Sequence, residues 1–113
     1  MKEQESIEKY ASQISTQMRK GFMAFCVLKV CAKKPVYTSD IIWELREAKM
    51  VVVEGTIYPL LSRLQKDGLL SHEWQESEQG PPRKYYSITD FGTKVLANIS
   101  EEIEKLNKTI NEL

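Results

Sequence analysis

The stretch from Leu70 to Thr89 limits what this chain can fold into more than any other. Leu70 to Glu76 and Lys84 to Thr89 set aromatic and β-branched residues such as Trp74, Tyr85, Tyr86 and Ile88 on alternating faces, the pattern of strands. Between them, Ser77-Glu78-Gln79-Gly80-Pro81-Pro82 is polar and rich in turn formers, so the two runs read as one β-hairpin. Two strands alone are marginal in water, and this pair must lean on helices. The expected fold is therefore mainly α with a small β-hairpin.

The helices are legible on either side. Ile7, Tyr10, Ala11, Ile14, Met18, Phe22, Phe25 and Leu28 recur at steps of three and four, which predicts one long amphipathic helix, weakened locally at Gly21. It should stop near Lys34, because basic residues suit a helix end and the residue before Pro35 avoids helical backbone. Thr38 or Ser39 is expected to cap a short second helix with Asp40 in its first turn and Ile41, Ile42 and Leu45 as its apolar stripe. Trp43 falls off the centre of that stripe, where core packing against helix one is favoured over a place at a subunit interface. Met50 to Val53 reads as an extended connector. A third helix opens at Glu54, carries Ile57, Leu60, Leu61 and Leu64 on one face, and ends at Asp67-Gly68.

After the hairpin, Leu96, Ile99, Ile103, Leu106, Ile110 and Leu113 alternate steps of three and four without a miss. The run is about two and a half heptads, which admits packing onto the chain's own domain. A dimer seam is the favoured reading, since little of so small a domain is left to cover this helix. The expected division is residues 1–90 as a helical and winged unit, and 91–113 as a dimerisation helix.

Bulk properties exclude several classes. At 113 residues the chain is about one domain, and no run approaches the roughly 18 apolar residues of a membrane span. The start, Met1-Lys2-Glu3-Gln4-Glu5, is acidic and polar where a secretory signal needs a basic and then an apolar stretch, so a cytoplasmic protein is expected. Cys26 and Cys31, five apart in an apolar helical run, match neither a metal nor a disulfide pattern and read as buried free thiols. One histidine, His72, with no supporting nucleophile and no phosphate-binding glycine loop, argues against an enzyme, and no metal or cofactor is expected. The net charge of +0 gives nucleic-acid binding no global field. Residues 18–90 nevertheless hold eleven basic against nine acidic groups.

Two short helices joined by a tight connection, the second running into a hairpin, have the order of a winged helix-turn-helix. On a wheel of helix three, Gly55, Pro59, Ser62 and Lys66 oppose the apolar face, flanked by Tyr58 and Arg63. Small residues let a backbone approach base edges, while Arg and Lys can reach guanine or phosphate and a Tyr hydroxyl can reach phosphate. A plain solvated face, with Arg63 paired to Asp67, fits the same residues. Pro59 deletes a helical hydrogen bond and crowds the Gly55 carbonyl, which is tolerable if the helix begins near Gly55. Arg83 and Lys84, just after Gly80-Pro81-Pro82, are expected at the tip of the projection, where they could grip phosphates. Glu73, Glu76 and Glu78 would repel DNA if they share that side.

Glu54-Gly55-Thr56-Ile57-Tyr58-Pro59-Leu60-Leu61-Ser62-Arg63-Leu64, then Asp67-Gly68-Leu69-Leu70, and Gly80-Pro81-Pro82-Arg83-Lys84-Tyr85-Tyr86-Ser87-Ile88-Thr89 through Gly92 together resemble the PadR-type transcriptional regulators. The likeness is close over Met18 to Gly92 and looser through the last helix. It implies a homodimeric, sequence-specific repressor with a winged helix-turn-helix and long N- and C-terminal dimerisation helices, acting on a palindromic operator in double-stranded DNA. By motif position it implies Glu54, Gly55, Thr56, Tyr58, Arg63 and Lys66 as the reading element, Tyr37 and Thr38 as the backbone anchor, and Arg83 and Lys84 as the wing. Thr38 stands where many relatives have glycine. The implied dimer interface draws on Met18, Phe22, Leu96, Ile99, Ile103, Leu106 and Ile110. Similar regulators often release DNA when a small aromatic or cationic effector binds near that interface. In this chain the last helix has no aromatic after Phe91, which leaves Ile99, Ile103 and helix one as aliphatic walls. The alternative reading is a winged-helix adaptor that binds protein and no DNA.

Overall fold

The computed structural model describes residues 1–113 and has the order α1 (Lys2–Lys33), β1 (Val36–Tyr37), α2 (Thr38–Glu47), α3 (Glu54–Lys66), β2 (Leu70–Ser77), β3 (Gly80–Ile88) and α4 (Asp90–Glu112). No helix is long and apolar enough to cross a membrane. The fold is mostly helical with a small antiparallel sheet, as the sequence suggests, but that sheet has a third strand. Its order is β1-β3-β2, with Val36 opposite Tyr86 and Tyr37 opposite Tyr85.

α1 runs unbroken through Gly21 and stops at Lys33, because Lys34 before proline is fully extended at φ −171° and ψ 164°. Pairing with β3 then fixes Val36 and Tyr37, so α2 starts immediately afterwards. This displaces the expected cap: Tyr37 is the N-cap residue, no side chain caps the helix, and Thr38 is its first residue. Lys33 and Glu44 form an ion pair that ties the end of α1 to α2.

The α2–α3 connection is short and braced. Met50 N–H bonds the Leu45 carbonyl, Lys49 N–H bonds the Arg46 carbonyl, and the Arg46 guanidinium bonds the Val52 carbonyl at 3.0 Å. Val52 drops into the core. Ile57, Leu61 and Leu64 of α3 bury against Ile41, Ile42 and Leu45 of α2, Val27, Leu28 and Cys31 of α1, and Leu70 and Tyr86 of the sheet. Leu60 packs at the rim of this cluster.

α4 is locked at its start. Thr89 Oγ1 accepts the Gly92 N–H at 2.9 Å and donates to the Gly68 carbonyl at 2.6 Å, while the Thr89 N–H bonds Leu69 O. Gly92 is obligatory here, since a Cβ would run into the Leu69 carbonyl oxygen and lie 2.8 Å from Ile88 Cγ1.

The molecule is elongated, at 54 × 34 × 23 Å with a radius of gyration of 16.8 Å. A compact chain of this length would have a radius of about 13 Å. The excess comes from the two terminal helices. The core takes in α1 only from Met23 onward, leaving Ile7, Tyr10, Ile14, Met18 and Phe22 exposed along its first two thirds. On α4, Leu96 packs on the chain's own core, Ile99 and Ile103 are half-buried, and Leu106, Ile110 and Leu113 are exposed.

Candidate nucleic-acid interface

α3 turns one face entirely outward. Ile57, Leu61 and Leu64 are buried, so the positions between them, Glu54, Gly55, Thr56, Tyr58, Pro59, Ser62, Arg63 and Lys66, must face solvent, and each is exposed. Tyr58 keeps 53% of its surface in solvent, with its hydroxyl available. Arg63 makes no ion pair with Asp67, so its guanidinium is uncommitted. The helix is continuous across Pro59. It starts at Glu54, which puts the proline in the second turn, where only the Gly55 carbonyl loses its partner. At the start of α3 the Thr56 hydroxyl donates to the Val53 carbonyl at 2.7 Å, fixing the entry of the connector.

The wing differs from its sequence reading. Ser77 is opposite Gly80, so the chain reverses at Glu78-Gln79 and both prolines lie within β3. They are tolerated there because β1 reaches only Tyr85 and Tyr86, leaving the β3 edge beside Pro81 and Pro82 unpaired. Arg83 and Lys84 are consequently not at the tip. They lie opposite Gln75 and Trp74 in the body of the hairpin, and as adjacent strand residues they point to opposite faces of the sheet. The Lys84 ammonium sits 5.2 Å from the centroid of Tyr86, on the face that carries the core. Arg83 lies on the outer face, its guanidinium carbon 4.9 Å from the centroid of Tyr37. Glu78 occupies the turn, with Glu73 opposite Tyr85.

Tyr37 thereby joins Arg83, and Tyr85 completes the cluster with its ring 6.0 Å from that of Tyr37. Sequence reasoning did not single out Tyr85, since only the β1–β3 register brings it beneath Tyr37. Thr38 is 7% exposed, so its side chain is turned inward; what this position presents outward is the uncapped first turn of α2. Of the ten residues expected to meet DNA, six therefore share the α3 face, Tyr37 and Arg83 form a separate pair, Thr38 is buried and Lys84 stands on the other side of the sheet.

For Trp43 the sequence reading favoured the core over a subunit interface. It is 62% exposed instead and takes no part in the packed cluster. It borders a groove of about 750 Å³ between α1, α2 and α4, lined by Cys26, Val30, Leu45, Met50 and Leu96 among others. Ile99 and Ile103, the walls expected for an effector, do not line it. Burial pushes the Cys26 thiol above its ordinary value, with Lys29 pulling it partly back.

The sequence profile of the Transcriptional regulator PadR-like family matches residues 27–98. A transcriptional regulator of Mycobacterium tuberculosis is 32% identical over 84 residues, covering 74% of this chain and 78% of that one. Among solved structures, a PadR-like transcription factor from Bacteroides fragilis is 50% identical, with a TM-score of 0.77 over 88% of this chain and 97% of the other. A PadR family transcriptional regulator from Eggerthella lenta superposes with a TM-score of 0.83 at 28% identity, covering 95% and 94%.

Proposed function

The chain belongs to the PadR-like family of transcriptional regulators, non-enzymatic DNA-binding proteins, and from that membership we propose that it is a homodimeric repressor that reads a palindromic operator. The observation that carries this reading is the outward face of α3. It combines a slim backbone at Gly55 and Ser62 with Tyr58, Arg63 and Lys66, and nothing in the fold covers it. Such a helix fits a major groove, where Arg63 takes guanine or phosphate and Tyr58 phosphate or a base edge. Glu54 and Thr56 at its start complete the reading element. The uncapped amides at the start of α2 suit a phosphate, with Tyr37 beside them and Thr38 contributing backbone only. Arg83 supplies the wing contact, and Lys84 a weaker one from the other face.

Dimerisation is supported by matching lengths of apolar helix that the single chain leaves open or half-covered. Ile7 to Phe22 on α1 and Ile99 to Leu113 on α4 each extend about 20 Å at 1.5 Å per residue. Antiparallel pairing of each with its counterpart on a second copy buries both, using Met18, Phe22, Ile99, Ile103, Leu106 and Ile110, with Leu96 at the root. Residues 91–113 then act as the dimerisation helix of a DNA-binding unit spanning 1–90. The groove beside Trp43 has the volume of a drug-sized ligand site, and we place the small-molecule effector there.

The decisive experiment measures binding to duplex DNA from the protein's own promoter across a salt series. Tight binding by a dimer, falling steeply between about 50 and 200 mM salt, is expected. Absent or salt-independent binding overturns the proposal in favour of an adaptor that recognises protein.

A further inference from the structure

The wing's outer cation does not stand free. β1 ends at Tyr37, whose register partner is Tyr85, so Arg83 is its diagonal neighbour on the same face, a separation that a long side chain bridges. The guanidinium accordingly lies 4.9 Å from the Tyr37 centroid, and the Tyr37 ring is itself held by Tyr85 at 6.0 Å. Arg83 makes no ion pair, although Glu73 occupies the same face of β2. A guanidinium held over an aromatic face by a cation–π contact, with no ion-pair partner, still has N–H donors to offer a second partner.

We propose that Tyr37 is a positioning residue for Arg83. Its ring holds the guanidinium at the junction of the wing and the start of α2, so that Arg83 meets a DNA phosphate without first losing side-chain freedom. This inference rests on the DNA-binding reading above. It assigns Tyr37 a role exerted through its ring and through Arg83, distinct from a direct phosphate contact by its own hydroxyl. An arginine immobilised in advance loses less entropy on binding, and the stack is strengthened, not broken, when an anion joins the exposed edge.

A double-mutant cycle on a random-sequence duplex, read by fluorescence anisotropy at low salt, tests it. Arg83→Ala should weaken binding about tenfold and lower the salt dependence by about one counterion. Tyr37→Leu should weaken it roughly three- to fivefold, Tyr37→Phe should bind as the wild type does, and Tyr37→Leu should add nothing to Arg83→Ala. Loss in Tyr37→Phe, or additivity with Arg83→Ala, overturns the inference in favour of a direct hydroxyl contact while leaving DNA binding intact. A wild type that binds no duplex removes both readings. Nuclear magnetic resonance of the free wild-type protein supplies a measurement that needs neither DNA nor a stable variant. The Arg83 δ-methylene protons should be shifted upfield by the Tyr37 ring, and unshifted protons overturn the stack itself.

Discussion

Lys49 and Gly68 occupy the same place at the ends of successive helices. Each follows its helix by one residue beyond the cap, each has left-handed backbone, at φ 68° and φ 84°, and each is enclosed by the same pair of bonds. Met50 N–H reaches Leu45 O as Leu69 N–H reaches Leu64 O, and Lys49 N–H reaches Arg46 O as Gly68 N–H reaches Gln65 O. The two turns that frame α3 are thus one backbone device built once with lysine and once with glycine.

Lysine in that conformation carries a steric cost that glycine does not. Lys49→Gly should therefore stabilise the protein by about 1 kcal/mol, and Gly68→Ala should destabilise it by a similar amount. Urea unfolding with unchanged denaturant dependence would measure both.

Gly92→Ala should be more damaging, because the added methyl has nowhere to go between the Leu69 carbonyl and Ile88. The expected loss is about 2 kcal/mol, in the range of overpacked sites, despite the better helix propensity of alanine. Thr89→Ala, which removes the cap of α4, should cost about 1 kcal/mol. Thermal unfolding of the two variants should rank them in that order.

On an identified operator, Tyr58→Ala and Arg63→Ala should each cost about 1 to 3 kcal/mol and relax discrimination against mismatched sites. Competition between operator and random duplex measures this. Equal losses on both DNAs would show that the outward face of α3 grips without reading.

Ile14→Glu in α1 and Ile110→Glu in α4 both alter side chains that are exposed in the single chain, so neither should harm its core. Each should shift the protein to monomer and weaken operator binding, as sedimentation and a binding isotherm would record. A dimer that survives both substitutions places the interface on other surfaces.

Cys31 is sealed in the core, and burial, aided by the charge of Glu44, pushes its thiol from 9.0 to about 12. The folded state thus holds this proton more tightly than the unfolded chain does. The resulting stability is complete below pH 9 and is lost as pH rises from 9 towards 12. Alkylation at pH 8 should modify Cys31 only on unfolding, and the Cys31→Ala variant should lose the part of the alkaline stability decline that this thiol contributes.

Helix positions and the outward face of α3 could be read from the chain because both follow from local periodicity. Ile57, Leu61 and Leu64 bury one side of α3, and the residues between them must then face out. The third strand could not be read, since Val36 and Tyr37 are too few to show an alternation and owe their conformation to partners about fifty residues away. The same non-local register moved Arg83 and Lys84. Pro81 and Pro82 are turn formers by habit, yet the pairing of Ser77 with Gly80 put the reversal before them. Trp43 failed for another reason: position on a helix says which way a side chain points, but not whether a neighbour stands there.

If a second copy covers the open first two thirds of α1, the protein's survival is tied to its abundance. About twenty residues of helix without tertiary support are marginally ordered in water, so this segment gains order from whatever lies along it. With a second copy as that cover, dilution unwinds the end and offers it to proteases. A cell that makes too little of the regulator would then clear what it has made, which gives the circuit a threshold that no contact with DNA has to encode.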